Sequence, residues 1–239
     1  MRISRVYTNE TLSSGATVIL TGNAAHYLGK VLRLDVGAEL ILFNGDGREY
    51  PATAISISKN AIEVSLGPPQ TPNTESSLRT VLGIGISRGE RMDLVVQKST
   101  ELGVSEIVPL FTEHCEVKLN AERQEKRVEH WQQVAISACE QTGRVIIPVI
   151  RMPQKIAEWI ESPGAGLKLL CDHNETGKLD GARPQGGIAL LIGPEGGLSD
   201  SEISKARAAG FTGINLGNRV LRTETAPITA LSILQYLWA

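Results

Sequence analysis

The chain has 239 residues, and its 24 Lys and Arg residues nearly balance its 26 Asp and Glu residues, which gives a net charge of −2. This length allows one large or two modest domains, and the near-neutral charge means that a nucleic-acid partner would need a local basic patch. The first residues lead into no apolar segment of the signal-peptide type, and the apolar C-terminal run LSILQYLWA is too short to span a bilayer. The three cysteines are widely spaced without a C-x-x-C motif, so we expect free thiols, a cytoplasmic location and no membrane partner.

Residues 1–70 have the pattern of a small β-barrel. Short β-branched or alternating runs are separated by turn signals, and Asn23 is expected to cap a short helix. The polar, proline-containing segment from Gly67 to Thr74 predicts a stiff linker, so we expect domains at 1–70 and 79–239 joined by 71–78. The strands are predicted at 2–6, 17–20, 39–43, 50–57 and 61–66, and the helix at 23–32.

Residues 79–239 alternate between strand and helix patterns, which predicts an α/β domain with a mostly parallel sheet. Ser199 and Glu202 form a capping-box pattern at the start of one helix, and Pro227 fits the first turn of the last helix. Strands are predicted at 79–86, 106–111, 144–150, 167–171, 187–192 and 212–216, and helices at 89–102, 122–141, 154–160, 199–209 and from Thr225 onward.

Two glycine-containing turns follow predicted strands, at Gly193–Gly197 and at 216–226. Ligands bind at the carboxyl ends of strands in open α/β sheets, and glycine lets a ligand approach the backbone closely. Neither turn has the G-x-G-x-x-G or G-x-x-x-x-G-K-[ST] fingerprint, so the usual dinucleotide and nucleoside-triphosphate signals are absent. The alternative is ordinary turn chemistry with no ligand.

Two sets of charged residues each have two possible roles, one set in the second turn and the other at the strand-to-helix junction near residue 90. Arg222 either pairs with Glu224 or meets a phosphate or a substrate carbonyl. Arg88 and Arg91 stand near a helix N-terminus, which favours anions, so they either pair with Glu90 or Asp93 or bind an RNA phosphate.

A basic patch on the barrel is a further possibility, the alternative being a solvated surface. No metal is expected, because His114-Cys115 and Cys171-Asp172-His173 lack ligand spacing. The patch would consist of Arg2, Arg5, Lys30, Arg33 and Arg48.

The segments GPEGGLSDSE and LGNRVLRTETAPITAL resemble the C-terminal motifs of SPOUT methyltransferases. More specifically, the chain resembles the bacterial 16S ribosomal RNA uridine-N3 methyltransferase family. RMDLVVQKSTELGVSEIVPLFTEHCEVKL and SACEQTGR resemble that family's central blocks, and RISRVY, HYLGKVLRL and LFNGDG resemble its N-terminal PUA-like barrel. Two positions depart from the family pattern, since His114 stands where arginine is common and Asn218 where proline is common.

The resemblance implies a homodimer that binds S-adenosylmethionine in a trefoil knot and methylates N3 of one uridine in 16S ribosomal RNA, within the 30S subunit. For the RNA contacts we expect Arg2, Arg5, Lys30, Arg33, Arg88, Arg91 and Arg144. The implied cofactor residues are Leu170, Gly193, Pro194, Glu195, Gly196, Gly197, Leu216, Gly217, Val220, Leu221, Arg222 and Thr225.

Uridine N3 becomes a good nucleophile only after it loses its proton. We expect Arg222 and Arg91 to stabilise the charge that develops on the flanking carbonyls, with Glu224 or Glu140 as proton acceptor. Two alternatives are a non-catalytic RNA-binding protein with a degenerate methyltransferase domain and a nucleotide-dependent oxidoreductase. The intact glycines of both turns disfavour the first, and the missing dinucleotide fingerprint disfavours the second.

Overall fold

The computed structural model describes residues 3–175, 177, 179 and 181–239. The chain forms two compact units: one contains the chain up to Glu75 together with Cys139–Ile147, and the other contains Ser76–Ala138 and Pro148–Ala239. The division after Glu75 falls inside the predicted linker. Residues 139–147 were expected in the second domain but belong to the first unit, because Cys139 and Val145 are buried with Phe43 in one apolar cluster.

The first unit is built on a five-stranded sheet with the order β1-β3-β4-β5-β2. β1 and β3 are parallel, and the other neighbours are antiparallel. Buried and exposed residues alternate along β2, so Val18 and Leu20 point into the core. The strands are β1 (Ser4–Tyr7), β2 (Thr17–Thr21), β3 (Glu39–Phe43), β4 (Glu49–Ile57) and β5 (Ala61–Leu66).

The helical segment of this unit starts earlier than its sequence suggests. Helix α1 (Gly22–His26) continues into a π-helical turn (Tyr27–Val31). The N-cap is Thr21, so the prediction of Asn23 as cap was wrong. The reason is Gly22, whose φ of 59° is a conformation that only glycine adopts readily, which lets the chain turn directly after β2.

The second unit confirms the predicted α/β class with a mostly parallel sheet. Its seven strands have the order β12-β10-β11-β6-β7-β8, with β9 also pairing with β7, and every pairing is parallel. β6 and β11 are buried along their whole length, as expected for strands covered on both faces. The strands are β6 (Thr80–Gly85), β7 (Glu106–Phe111), β8 (Val149–Ile150), β9 (Gln154–Lys155), β10 (Leu167–Cys171), β11 (Ile188–Ile192) and β12 (Thr212–Ile214).

Two predicted elements differ from the structure. The strand expected at 144–150 is reduced to β8, because the N–H groups of Val145 and Ile146 donate to the Glu75 carboxylate instead of to a neighbouring strand. The helix expected at 154–160 is shorter, because its first two residues form β9. The helices are α2 (Glu90–Glu101), α3 (Ala121–Thr142), α4 (Ile156–Trp159), α5 (Asp200–Ala208) and α6 (Thr225–Trp238).

Apolar clusters cover both faces of the parallel sheet. Along β11, Leu190 packs in one cluster with α2 and α6, whereas Leu191 packs in the other with Trp159 and Phe211. The Trp159 indole packs directly against the backbone of Gly83, where an added Cβ would overlap the ring. Within the described part of the chain, none of the helices has the length and apolarity needed to cross a membrane. The sheet is therefore a firmly packed platform, and its strand ends carry the site.

Candidate functional site

A cavity of about 590 Å³ lies at the carboxyl ends of β10, β11 and β12. Its volume is within the roughly 300–1,000 Å³ that small-molecule sites occupy. The three strands are neighbours in the sheet, so their ends lie side by side. The walls are formed by residues 171–174 at the end of β10, 192–198 at the end of β11 and 214–217 and 219–224 at the end of β12, together with Arg91, Asp200, Ile203 and Ala226.

The first turn, Gly193–Gly197, is held by close packing. Pro194 lies directly against Gly85 of β6, where an added Cβ would overlap the proline ring. Two residues further along the turn, the Gly196 carbonyl oxygen lies 3.0 Å from His114 Nδ1. An added Cβ on Gly196 would stand 2.8 Å from His114 Cβ, so glycine is required there for the close approach. The turn is thus held by β6 and by the segment that follows β7.

Glu195 ties this turn to the start of α2. Its Oε1 accepts hydrogen bonds from the Arg88 backbone N–H at 3.2 Å and from Arg91 Nη1 at 2.9 Å. Partial burial raises the pKa of Glu195, but hydrogen bonds from its own backbone, Arg91 and Arg88 outweigh this, and the net pKa is lowered. Neither predicted partner, Glu90 or Asp93, pairs with Arg91.

The helix after the first turn begins with the predicted capping box, which is confirmed. Ser199 Oγ accepts the Glu202 N–H at 3.3 Å, and Glu202 Oε2 accepts the Ser199 N–H at 2.9 Å. The second oxygen of this buried carboxylate accepts the Glu113 N–H at 2.8 Å. Glu202 therefore fixes the end of the turn to the segment that follows β7.

Asn215 organises the entrance to the second turn. Its Nδ2 donates to the carbonyl oxygens of His173 at 3.0 Å and Glu175 at 2.8 Å, and its Oδ1 accepts the Gly217 N–H at 2.6 Å. Gly217 has a φ of 123° and has no atom within 4 Å of an added Cβ. The segments after β10 and β12 are thus joined, and Gly217 presents bare backbone to open space.

Beyond Gly217 the second turn is loosely held. Arg222 has an 80% exposed side chain, 3.9 Å from the Glu224 carboxylate, which is mostly buried. The Arg222 carbonyl oxygen accepts the N–H groups of Thr225 and Ala226, which start α6. The Arg222 backbone is therefore fixed while its guanidinium remains free to reach a ligand.

The comparisons with known proteins decide the family. A model of the RNA methyltransferase domain matches residues 74–235, and a model of the RNA methyltransferase PUA domain matches residues 20–67. The ribosomal RNA small subunit methyltransferase E of Buchnera aphidicola from Schizaphis graminum is 36% identical over 98% of this chain and 96% of its own length. This chain belongs to the ribosomal RNA small subunit methyltransferase E family.

Solved structures agree with this membership. A Legionella pneumophila protein crystallised with the cofactor SAM has a TM-score of 0.95 and 41% identity, covering 99% of this chain and 98% of its own. The ribosomal RNA small subunit methyltransferase E of Neisseria gonorrhoeae, bound to S-adenosyl methionine, has a TM-score of 0.93 and 39% identity with the same coverage. The first unit accordingly contains a PUA-like domain, and the family argues against a nucleotide-dependent oxidoreductase.

Most residues that the resemblance assigned to the cofactor are brought together by the structure. Leu170 and Thr225 do not line the cavity. The Leu170 side chain is buried with Phe211 in the sheet core, and the next residue, Cys171, lines the cavity instead. The expected residues that do line it are Gly193, Pro194, Glu195, Gly196, Gly197, Leu216, Gly217, Val220, Leu221 and Arg222.

The third wall was expected at Leu170, at the end of its strand, but in the structure it begins one residue later. Residues 171–174 line the cavity and carry a carboxylate and an imidazole. Their position at the end of β10 could have indicated this wall, because the carboxyl ends of parallel strands lie at the same edge of a sheet. Burial raises the pKa of the Cys171 thiol to about 12, so this cysteine remains protonated at neutral pH and is a poor nucleophile.

The four candidate catalytic residues separate into two groups. Arg91, Arg222 and Glu224 line the cavity, whereas Glu140 does not. Glu140 belongs to the first unit, where its Oε1 accepts the Tyr7 N–H at 3.0 Å. Burial raises the pKa of Glu140, although the Tyr7 hydrogen bond and the Arg5 charge oppose this. Its carboxylate therefore serves the packing of the first unit.

Two expected RNA-contacting arginines are engaged inside the first unit. Arg5 pairs with Glu49 and donates to the Arg144 carbonyl oxygen at 3.2 Å. Arg144 pairs with Glu75 at 2.9 Å, and its side chain is 5% exposed. We correct the expectation for both, because a buried and paired guanidinium has little capacity left for a phosphate.

The remaining basic residues are on the surface. Lys30 and Arg33 are exposed, whereas Arg48 pairs with Asp46 at 2.8 Å. In the second unit, exposed Arg88 pairs with exposed Glu116 at 2.7 Å. Arg2 lies outside the described residues.

Proposed function

We propose that this chain transfers a methyl group from S-adenosylmethionine to N3 of a uridine in 16S ribosomal RNA of the small subunit. One observation carries the proposal: a glycine-lined cavity stands at the ends of β10, β11 and β12 in a chain whose fold matches two structures with bound S-adenosylmethionine. The RNA methyltransferase model that matches residues 74–235 supports the same activity class.

The residues around the cavity fit the cofactor. Gly197, with a φ of 70°, and Gly217 have nothing within 4 Å of an added Cβ, so a ligand can lie directly on their backbone. The cavity is lined by bare backbone and apolar groups such as Leu216 and Ile203, with a few polar groups such as Asp172. This mixture suits a ligand that combines an aromatic base with a polar ribose and amino acid.

The proposed chemistry depends on two side chains of the second turn. When bound, S-adenosylmethionine supplies an electrophilic methyl group on a sulfonium. Glu224 accepts the N3 proton of the uridine, and the Arg222 guanidinium stabilises the negative charge that develops on the flanking carbonyl oxygens. Arg91 is bound to Glu195, so its role is to hold the first turn in place. The target base must leave its stack to reach these groups.

The assay that tests the proposal measures tritiated-methyl transfer to under-modified 30S particles and, in parallel, to naked 16S RNA. We expect incorporation that yields N3-methyluridine after digestion to nucleosides. Methylation at another atom would contradict the N3 assignment. Failure to bind S-adenosylmethionine in calorimetry, together with no transfer, would instead favour the non-catalytic RNA-binding alternative.

Replacing Glu224 with Gln tests the proton acceptor. The amide keeps the size of the side chain but cannot take up the N3 proton, so we expect turnover to fall by about 10²–10⁴-fold while cofactor affinity is retained. The matched control is Glu125→Gln, an exposed position on α3, which should retain full turnover. Unchanged turnover of Glu224→Gln would remove this residue as base.

The trefoil knot, the homodimer and the cytoplasmic location implied by the resemblance belong to the same proposal. The exposed apolar surface of α6 supports a dimer, since Tyr236 is 90% exposed and Leu237 lies beside it. We expect sedimentation analysis to give twice the 25.7 kDa of one chain. A monomer at micromolar concentration would argue against this part of the proposal.

A further inference from the structure

A second, smaller cavity of about 170 Å³ lies in the second unit, at the start of α2. Its apolar wall comes from Ile86, Val117, Leu119 and the indole of Trp131. Its polar wall comes from Ser87, Arg88 and Arg127. The proposed methylation mechanism does not use this cavity.

Two of the residues that line this cavity carry a buried hydrogen-bond donor without a partner in the described structure. The Ser87 hydroxyl and the Trp131 Nε1 are shielded from solvent and make no hydrogen bond, and the two residues are only 3% and 2% exposed. A buried donor without a partner costs roughly 1–3 kcal/mol, so such groups usually serve a ligand or an ordered water. The indole N–H only donates, which means that its partner must be an acceptor.

The charges around the cavity are positive. Arg127 forms no ion pair with any described residue. Among the same residues, the Arg88 guanidinium pairs only with exposed Glu116, and such a pair contributes little in water. The described residues that line the cavity include no carboxylate. The N-terminus of α2 begins beside it at Gly89, whose φ of 57° requires glycine, and its free N–H groups add further positive potential. The ligand that matches these donors is an anion rich in acceptor oxygens.

The position of the cavity connects it to the larger site. Ser87 and Arg88 line the small cavity, while the Arg88 N–H and the Arg91 side chain both donate to Glu195 of the first turn. A single short segment therefore separates the two cavities. We propose that the small cavity binds a phosphodiester group of the RNA substrate, close to the nucleotide that is methylated. This inference rests on the proposed function, because it assumes that RNA enters the larger site.

The indole proton of Trp131 gives a direct readout of occupancy. The chain has three tryptophans, so a ¹H–¹⁵N spectrum contains three indole signals, and Trp131→Phe assigns the one of interest. We expect an RNA fragment that carries the target uridine to shift the Trp131 signal and to leave that of Trp238, which is bonded to the Gly181 carbonyl, unchanged. Inorganic phosphate at high concentration should shift the same signal.

Salt dependence identifies the bound group. Arg127→Ala should lower the slope of log Kd against log salt by about 0.7–0.9, the value for one lost phosphate contact. Ser87→Ala should weaken RNA binding without changing that slope. The matched control is Arg123→Ala, which removes the same charge one turn earlier on α3 and should leave the Trp131 response intact.

Three outcomes would overturn the inference. No response of Trp131 to RNA or phosphate would mean that the cavity holds water only. A response to RNA with an unchanged salt slope in Arg127→Ala would mean that a base, and not a phosphate, is bound. A response to phosphate alone would mean an adventitious ion only. Calorimetry with S-adenosylmethionine and the methyl-transfer assay, run on the same samples, separate these results from a failure of the proposed function.

Discussion

The two turns that line the large cavity differ in how firmly they are held. The first turn is fixed by Pro194 against Gly85, by Glu195 against Arg91 and by the capping box of Ser199. In the second turn, Val220 is 75% exposed, and Arg222 reaches its nearest carboxylate only at 3.9 Å. The same cavity therefore has one rigid wall and one wall with free side chains.

This difference fits the proposed mechanism, in which the first turn binds the cofactor and the second turn acts on the RNA substrate. A rigid wall of bare backbone suits a cofactor of constant shape, since preorganised contacts cost no ordering on binding. Free charged side chains suit a large substrate, because they can adjust to it and are not neutralised by internal pairing beforehand. We therefore expect substitutions in the first turn to lower cofactor affinity and substitutions in the second turn to lower turnover.

Of three further changes that test this difference between the two turns, the largest effect is expected for Arg222→Ala. Loss of one donor to a developing oxyanion costs about 10²–10³ in kcat, while the distant cofactor contacts remain. Stability should barely change, because the guanidinium is exposed and its ion pair is long. Arg222→Lys should recover part of the rate, since it keeps the charge but loses the planar fork. A loss of cofactor affinity equal to the loss of turnover would show that the second turn also holds the cofactor.

A smaller effect is expected for Gly85→Ala, which disturbs the support of the first turn. The new Cβ overlaps Pro194 and pushes the first turn out of position, at a cost of about 1–3 kcal/mol in the free energy of unfolding. Cofactor affinity should fall with it. Gly29→Ala is the control, since only Ile62 lies within 4 Å of that Cβ, at 3.9 Å. Thermal unfolding and calorimetric titration measure both effects. Wild-type cofactor affinity in Gly85→Ala would show that the first turn needs no support from β6.

What sequence reasoning predicted well is local. The capping box of Ser199 and Glu202 was found because both partners lie within one turn of helix. The strands at 39–43, 61–66, 106–111 and 167–171 have the predicted bounds, because alternating or continuous apolar runs between turn signals suffice to define them. The two glycine turns at one cavity also followed from the rule on strand ends.

What sequence reasoning missed depends on long-range partners. Glu195 meets Arg88 and Arg91 across more than 100 residues, so no spacing rule points to the pair. The same holds for Arg144, which appeared to be a free cation until the fold placed Glu75 beside it. The predicted helix at 122–141 and the predicted strand at 144–150 give no sign of a change of unit at residue 139. Only the burial of Cys139 with Phe43 assigns residues 139–147 to the first unit.

The smallest effect is expected for Glu195→Gln. This change weakens the contact between the first turn and Arg91 without changing the size of the side chain. Because the pair with Arg91 is partly exposed, its loss should cost about 0.2–1 kcal/mol. The pKa of Glu195 is lowered in the fold, so its stabilisation is present above the unfolded pKa and is lost as pH falls through the lower folded value. The difference in unfolding temperature between wild type and variant should therefore be largest near neutral pH and shrink in acid. A difference that is constant from neutral to acidic pH would mean that the Glu195 charge does not hold the turn, and that packing of Pro194 alone makes this wall rigid.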